Sequence, residues 1–390
     1  MGRKKKDTDQ EELEVFDSVD EKEVSAKHAA GNPYKIDVKT KDLEAISKAL
    51  SRTNFYTPGD QYDSNSKWIS TGCTILNLDL SSIAYGGIQA NRLTQIYGLP
   101  STYKSALAYS LLANAQKLGY CVYYFDVEGT YNPDIALQYG LDVNNGLTFK
   151  LTTKLNGIVT VEDFFDSYLK NLVDLHTPEQ PALLVVDTFS MLNSDVEERT
   201  KMGDEVRLGV KAKALSRGFK TYLHKMVSSG ITIVSIDQVT DNLKMSPAMF
   251  QKEKDKYVVV GGHSIKFNAT TRIFMSRGRN ITNSTKQVTG VWVKYEITKN
   301  KNIPSDVRGM FLVHYKHGID NIASNLVYLK TKQLDESKAL TPSAAFSCLE
   351  QKGTLKDHYA RIVSEGLQKE LEEEVTKSWN DVRKESGGIV

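Results

Sequence analysis

The stretch LTQIYGLPSTYKS, residues 93 to 105, decides the fold. Leu93 to Tyr97 alternates apolar and polar side chains and is rich in β-forming residues. Gly98 then breaks the run, and a short loop leads through Lys104 and Ser105 into a helical pattern. Strand, loop and helix in that order make a phosphate-binding turn, because free backbone N–H groups and the positive end of the following helix both face the loop. On this reading Gly98, Leu99, Pro100, Ser101, Thr102 and Tyr103 cradle phosphates, Lys104 reaches the β/γ-phosphates, and the Ser105 hydroxyl sits on Mg²⁺. The pattern G-x-x-x-x-G-K-[ST] wants a second glycine where this chain has Tyr103. From the segment alone, an ordinary strand-turn-helix carrying a chance Lys-Ser stays open.

Working outward, the next strands carry acid at their ends. Tyr120 to Phe125 reads as a buried strand that finishes at Asp126-Val127-Glu128, and Ala182 to Val186 as another that finishes at Asp187. Carboxylates at the C-terminal ends of strands are where an open α/β sheet presents its ligand site, and one of them is what a magnesium ion beside a phosphate loop requires. Small and apolar residues from Ser105 to Leu118 predict a helix ended by Gly119, and a second helical segment covers about 161 to 175. Val206 to Val227 is the clearest helix, with Leu215, Phe219, Tyr222 and Met226 on one face and Lys213, Arg217, Lys220 and His224 on another. Ile231 to Ile236 reads as a buried strand stopping at Asp237-Gln238. About twenty polar, Lys-rich residues follow, long enough inside a compact domain to suggest function. The runs 258–260, 271–275, 289–297 and 309–315 continue a sheet with hairpin-like spacing.

The chain has 390 residues, 40% hydrophobic, which suits a packed water-soluble protein with one large domain and appendages. Cys73, Cys121 and Cys348 support neither a disulfide framework nor a zinc site and point to a reducing compartment. No apolar run approaches a membrane span, and the basic N-terminal run has no apolar segment behind it, so the cytoplasm is expected. Fifty basic against 48 acidic residues leave a charge of +2, so any nucleic-acid binding must come from local patches. Residues 1–66 read as a charged arm with a short amphipathic helix near 40–52, residues 67–318 as the core, and 319–390 as a separate small unit of mixed helix and loop.

In order and spacing, ISTG (69–72), GLPSTYKS (98–105), FDVEG (125–129), LLVVDT (183–188), SIDQ (235–238), GGHSIKF (261–267) and TKNKN (298–302) resemble the RecA/Rad51 family of recombinases. Tyr103 in the loop resembles UvsX-type phage members. The resemblance implies an α/β fold: a RecA-like P-loop ATPase core with a mostly parallel central sheet, a short N-terminal assembly arm and a small C-terminal α+β unit. It implies ATP and Mg²⁺. Glu128 matches the catalytic glutamate that polarises water, Asp187 the acid ending the second ATPase strand, and Gln238 the residue that senses the γ-phosphate. Lys299 and Lys301 match a pair extended across a subunit boundary toward the neighbour's nucleotide.

Two DNA-binding loops are likewise implied, around 197–205 and 239–260. Arg199 and Lys201 in the first, the stripe Lys213 and Lys220 beside it, and Lys244, Lys252, Lys254 and Lys256 in the second are suited to neutralising phosphates; Phe250, Met249 or Met245 are suited to wedging between bases. The leading reading is an ATP-dependent recombinase, a helical homo-oligomeric filament on single-stranded DNA that pairs it with homologous duplex. Single-strand-binding and mediator proteins are candidate partners, in a host cytoplasm if the chain is phage-encoded. The alternatives are a ring-forming helicase of the same fold and an ATP-gated DNA-binding assembly protein with little turnover.

Overall fold

The computed structural model describes residues 68–151, 159–200, 209–242, 252–259, 264–282, 285–334, 338 and 343–385. The arm, the helix expected near 40–52, Lys201, Lys244, Met245, Met249 and Phe250 lie outside these residues. Two short strands, β1 (Trp68–Ile69) and β2 (Ile88–Gln89), pair antiparallel around α1 (Thr74–Ser81). The main sheet is built by β3 (Leu93–Gly98), β4 (Cys121–Asp126), β5 (Thr148–Leu151), β6 (Ala182–Asp187), β7 (Ile231–Asp241), β8 (Tyr257–Val259), β9 (Thr271–Thr282), β10 (Val288–Asn300), β11 (Val307–His314) and β12 (Gly318–Asp320).

Across the sheet the order is β12-β11-β10-β9-β3-β7-β6-β4-β5, with β8 paired to β7. From β9 to β5 every neighbour is parallel, whereas β10, β11 and β12 extend the edge antiparallel. The fold is therefore α/β with a mostly parallel central sheet. Burial on both faces explains why the parallel strands read as continuous apolar runs. Val122 and Tyr124 of β4 and Leu183 and Val185 of β6 pack on the side of α2 (Lys104–Lys117). The alternate residues, Tyr123, Phe125, Leu184 and Val186, pack on the side of α3 (Val210–Ser228).

α3 buries Leu215, Phe219, Tyr222 and Met226. It lies close to a helical run that passes from Val161–Asp163 through a π-helical turn, Phe164–Leu169, to Lys170–Leu175. Gly218 permits that approach, since a Cβ there would stand 2.1 Å from the Phe165 ring. Fully buried Phe219 meets Phe165 and Phe189 edge-on, and truncation to Ala costs about 3–5 kcal/mol.

The strand expected at 231–236 runs on to Asp241, because β8 pairs with its last residues, Val239 with Val259 and Asp241 with Tyr257. The C-terminal helices α4 (Asn321–Gln333), α5 (Leu355–Glu365) and α6 (Gln368–Glu385) follow, with the hairpin β13 (Phe346–Cys348) and β14 (Gln351–Gly353) between α4 and α5. Residues 319–390 are expected as a unit of their own, but among their described residues Phe346, Ile362, Leu371, Val375 and Trp379 join the core cluster that holds Leu76, Leu80 and Phe311. Within it the buried Asp79 carboxylate accepts hydrogen bonds from Trp379 Nε1 and the Tyr295 hydroxyl, each at 2.7 Å. Burial pushes its pKa up to about 6.

Candidate functional site

β3 ends at Gly98 level with Gln238 of β7 on one side and Met275 of β9 on the other. Any side chain at Gly98 would collide with its neighbour, since a Cβ would stand 2.1 Å from the Met275 carbonyl oxygen. The chain then turns through Leu99 to Tyr103 into α2, whose N-terminus faces the loop. Thr102 Oγ1 donates to the Leu99 carbonyl at 2.8 Å and closes the turn. Tyr103, at φ 64°, holds the left-handed conformation that the usual glycine would adopt without steric cost. Its ring stacks on Tyr315 at 6.2 Å, its hydroxyl donates to the Tyr315 hydroxyl at 2.9 Å, and the Arg277 guanidinium lies 5.8 Å from its centroid. Those contacts offset the strain, and burial pushes the Tyr103 phenol up to about 12.

Lys104 is buried and donates to the Gly98 and Leu99 carbonyls at 3.1 and 2.8 Å. Burial lowers its pKa, against the opposing pull of Asp187, Glu128 and Asp237. The parallel strands then deliver the acids to the same edge. Asp187 ends β6, where its Oδ2 accepts from Ser105 Oγ at 3.4 Å and from the Tyr124 hydroxyl at 2.5 Å. Burial pushes its carboxyl up to about 6. The Asp187 carbonyl accepts from the Val127 and Glu128 N–H groups at 2.8 and 3.2 Å, which fixes the turn bearing Glu128. Gln238 Nε2 donates to Glu128 Oε1 at 2.9 Å.

Lys104, Ser105, Glu128, Asp187 and Gln238 thus line one cleft of about 670 Å³, whose outer wall is Tyr103, Ile135, Tyr139, Arg277 and Tyr315. A hydroxyl and a carboxylate side by side are hard oxygen donors, the set that magnesium prefers. Several of these groups were not anticipated. Tyr124 could have been found from the period-2 rule, which puts it on the same face of β4 as Val122, toward α2. Arg277 and Tyr315 carry no local signal, because they come from β9 and from the turn after β11, far along the chain. Behind the cleft, Asp237 is fully buried and accepts from Gln95, Ser235 and Thr188 at 2.6, 2.6 and 3.1 Å, and Arg272 Nε donates to Gln95 at 2.6 Å.

The other predicted residues lie elsewhere. Lys299 is paired in register with Arg272, and its Nζ donates to the Lys266 and Phe267 carbonyls at 2.9 and 3.0 Å. Lys301 is exposed in the turn after β10. Lys213 and Lys220 stand exposed on α3, and Lys213 lines a groove that also contains Glu162 and Asp166. Arg199 is exposed on the short helix Asp195–Arg199, 3.9 Å from Asp195. Lys256 is exposed, whereas Lys252 and Lys254, expected to offer free charge, pair with Glu296 and Asp306 instead.

Residues 38–320 match the family model described as the RecA N-terminal domain. Among curated relatives, Protein RecA of Clostridium beijerinckii is 26% identical over 291 residues, 75% of this chain and 74% of that protein. Protein RecA of Streptomyces venezuelae is 28% identical over 278 residues, 71% and 68% of the two chains. A solved structure titled as the RadB recombinase covers 64% of this chain and 98% of its own at 21% identity and a TM-score of 0.45, too slight a likeness to add weight. With a family match across most of its length, laid over a strand-end cleft of this kind, the chain belongs to the RecA family of recombinases.

Proposed function

We propose that this chain is a DNA-dependent ATPase that assembles as a helical filament on single-stranded DNA and exchanges that strand with a homologous duplex. The observation that carries the reading is the hydrogen bond between Gln238 and Glu128. Glu128 is the one carboxylate of the cleft suited to accept a proton from attacking water, and Gln238 lies on the strand that continues toward the segment read as DNA-facing. A change at the γ-phosphate that breaks this contact is therefore passed along β7.

Lys104 would leave the Gly98 and Leu99 carbonyls for phosphate oxygens, while the loop N–H groups and the α2 N-terminus hold the remaining anionic charge. Ser105 and Asp187 would hold magnesium, which when bound neutralises charge on the β- and γ-phosphates. Lys299 and Lys301, remote from this cleft, would serve the nucleotide of the next protomer as an arginine finger does. Tyr103 supports placing the chain beside UvsX-type phage members, and the N-terminal arm is read as an assembly element.

The test is ATP turnover with and without single-stranded DNA, followed by strand exchange between circular single strands and linear duplex. Turnover that ignores DNA would defeat the proposal. Stimulated turnover without exchange would favour a ring-forming helicase.

A further inference from the structure

Asn242, just after β7, is tied to the turn that follows Lys252. Asn242 N donates to the Lys256 carbonyl at 2.7 Å and its Nδ2 to the Asp255 carbonyl at 3.1 Å, while Asp255 caps the Lys252 N–H at 2.9 Å. Lys252, which precedes the short turn Glu253–Lys256, and Lys254 within it both meet the hairpin of β10 and β11. Lys252 Nζ lies 2.9 Å from Asp306 Oδ1 and 3.7 Å from Glu296 Oε1. Lys254 Nζ lies 3.1 Å from Glu296 Oε1 and 3.3 Å from Asp306 Oδ1. Arg308 Nε completes the group, 3.2 Å from Glu296 Oε2.

We propose that Glu296 and Asp306 are positioning residues that latch Lys252 and Lys254 to the β10–β11 turn and withhold these two cations from DNA phosphates until a strand displaces the carboxylates. The inference rests on reading 239–260 as a DNA-facing segment.

Charge and burial make the latch reversible. Lys252, Lys254 and Arg308 face Glu296 and Asp306, with Glu253 and Asp255 on the same turn, so phosphates would take the lysines by exchange for the carboxylates and not by attraction to a net positive patch. The Glu296 side chain is only 7% exposed and would be costly to leave unpaired. Arg308 remains on its other oxygen when the lysines depart, so opening does not orphan it. The Asp306 side chain, 56% exposed, returns to water. The pairs to Asp306 are therefore the weaker half of the latch, where closely spaced phosphates compete for the lysines.

The position also matters. Asp306 closes the turn, its N–H donating to the Ile297 carbonyl at 2.7 Å. Lys301 sits in that turn and Lys299 in the strand leading to it. The latch and the pair read as crossing to the neighbour thus share one turn, which the Asp306 N–H keeps closed on Ile297 whether or not the lysines are engaged. Lys252 and Lys254 hold the Asp306 carboxyl below the usual carboxylate range, as such contacts require.

The test uses the full chain, a labelled oligothymidylate and a non-hydrolysable ATP analogue, with affinity measured across a salt series. Asp306→Asn, at an exposed position that should not disturb folding, is expected to tighten DNA binding about two- to fivefold. It should also steepen the salt dependence, because more lysines are available to displace counterions. In a Lys252→Gln/Lys254→Gln background, which binds DNA more weakly, the same substitution should give no gain. No gain in the native background, or an equal gain in both, overturns the latch alone. If neutralising the two lysines changes neither affinity nor salt slope, they do not face DNA, and both the latch and the reading beneath it fall.

Discussion

Mixing two defective proteins should restore activity if Lys299 and Lys301 act across a subunit boundary. The register sets the argument. Lys299 is opposite Arg272, whereas Gly98 at the phosphate loop is level with Met275. Three residues along a strand are about 10 Å, and β10 is two strands from β3, about another 10 Å. The two positions are therefore roughly 14 Å apart, against a lysine side chain that reaches roughly 6 Å. The Lys299 ammonium is moreover turned onto the Lys266 and Phe267 carbonyls.

A Lys299→Ala/Lys301→Ala protein keeps its phosphate loop, and a Lys104→Ala protein keeps its lysine pair. Each alone lacks every complete site. In a random equimolar filament with head-to-tail interfaces, about one quarter of the interfaces join an intact loop to an intact pair. DNA-stimulated ATP hydrolysis should recover toward about a quarter of the native rate, with co-assembly verified by energy transfer between labels on the two proteins. Verified mixed filaments hydrolysing no faster than the summed mutants would refute the cross-subunit role.

Glu128→Gln should keep nucleotide binding while lowering turnover about 10²- to 10⁴-fold, the range for a lost general base; native turnover in that variant would remove Glu128 from the chemistry. Lys104→Ala should instead weaken nucleotide binding, read by titration with a fluorescent ATP analogue. Asp79 gives a pH signature. Its folded pKa of about 6 stands above the ordinary aspartate value of 3.8, so its contribution is complete below about pH 4 and is lost as pH rises through 6. The shift is worth on the order of 3 kcal/mol, and Asp79→Asn should flatten the fall in thermal stability across that window; an unchanged slope would show that Asp79 does not titrate there. DNA affinity should drop steeply with salt, and Lys213→Gln/Lys220→Gln should shallow the slope by about one to two. An unaltered slope would take that face of α3 off the DNA path.

How much was legible differs from residue to residue. The phosphate loop, the helix after it and the acids at 128 and 187 could be read directly, because each follows from local chemistry: a β-rich run, a glycine that breaks it, a helix start, an apolar strand with a terminal carboxylate. Period and turn residues report these without knowledge of neighbours. The helix at Val210–Ser228, with one apolar and one basic face, was legible for the same reason. The end of β7 was not, since Val239 to Asp241 are strand only because β8 returns to pair with them.

Contacts made between distant strands were decided by tertiary structure alone. Gln238 meets Glu128 across 110 residues, and Trp379 reaches Asp79 across 300. Lys252 and Lys254 read as free cations in sequence, yet strand order sets Glu296 and Asp306 beside them. A sequence pattern says which face of an element is buried or charged. It does not say which other face lies opposite, because that depends on the crossovers that fix the order β10-β9-β3-β7-β6-β4. The phosphate loop could be read from its own residues, whereas the contacts of Gln238 with Glu128 and of Lys252 and Lys254 with Glu296 exist only once those strands lie side by side.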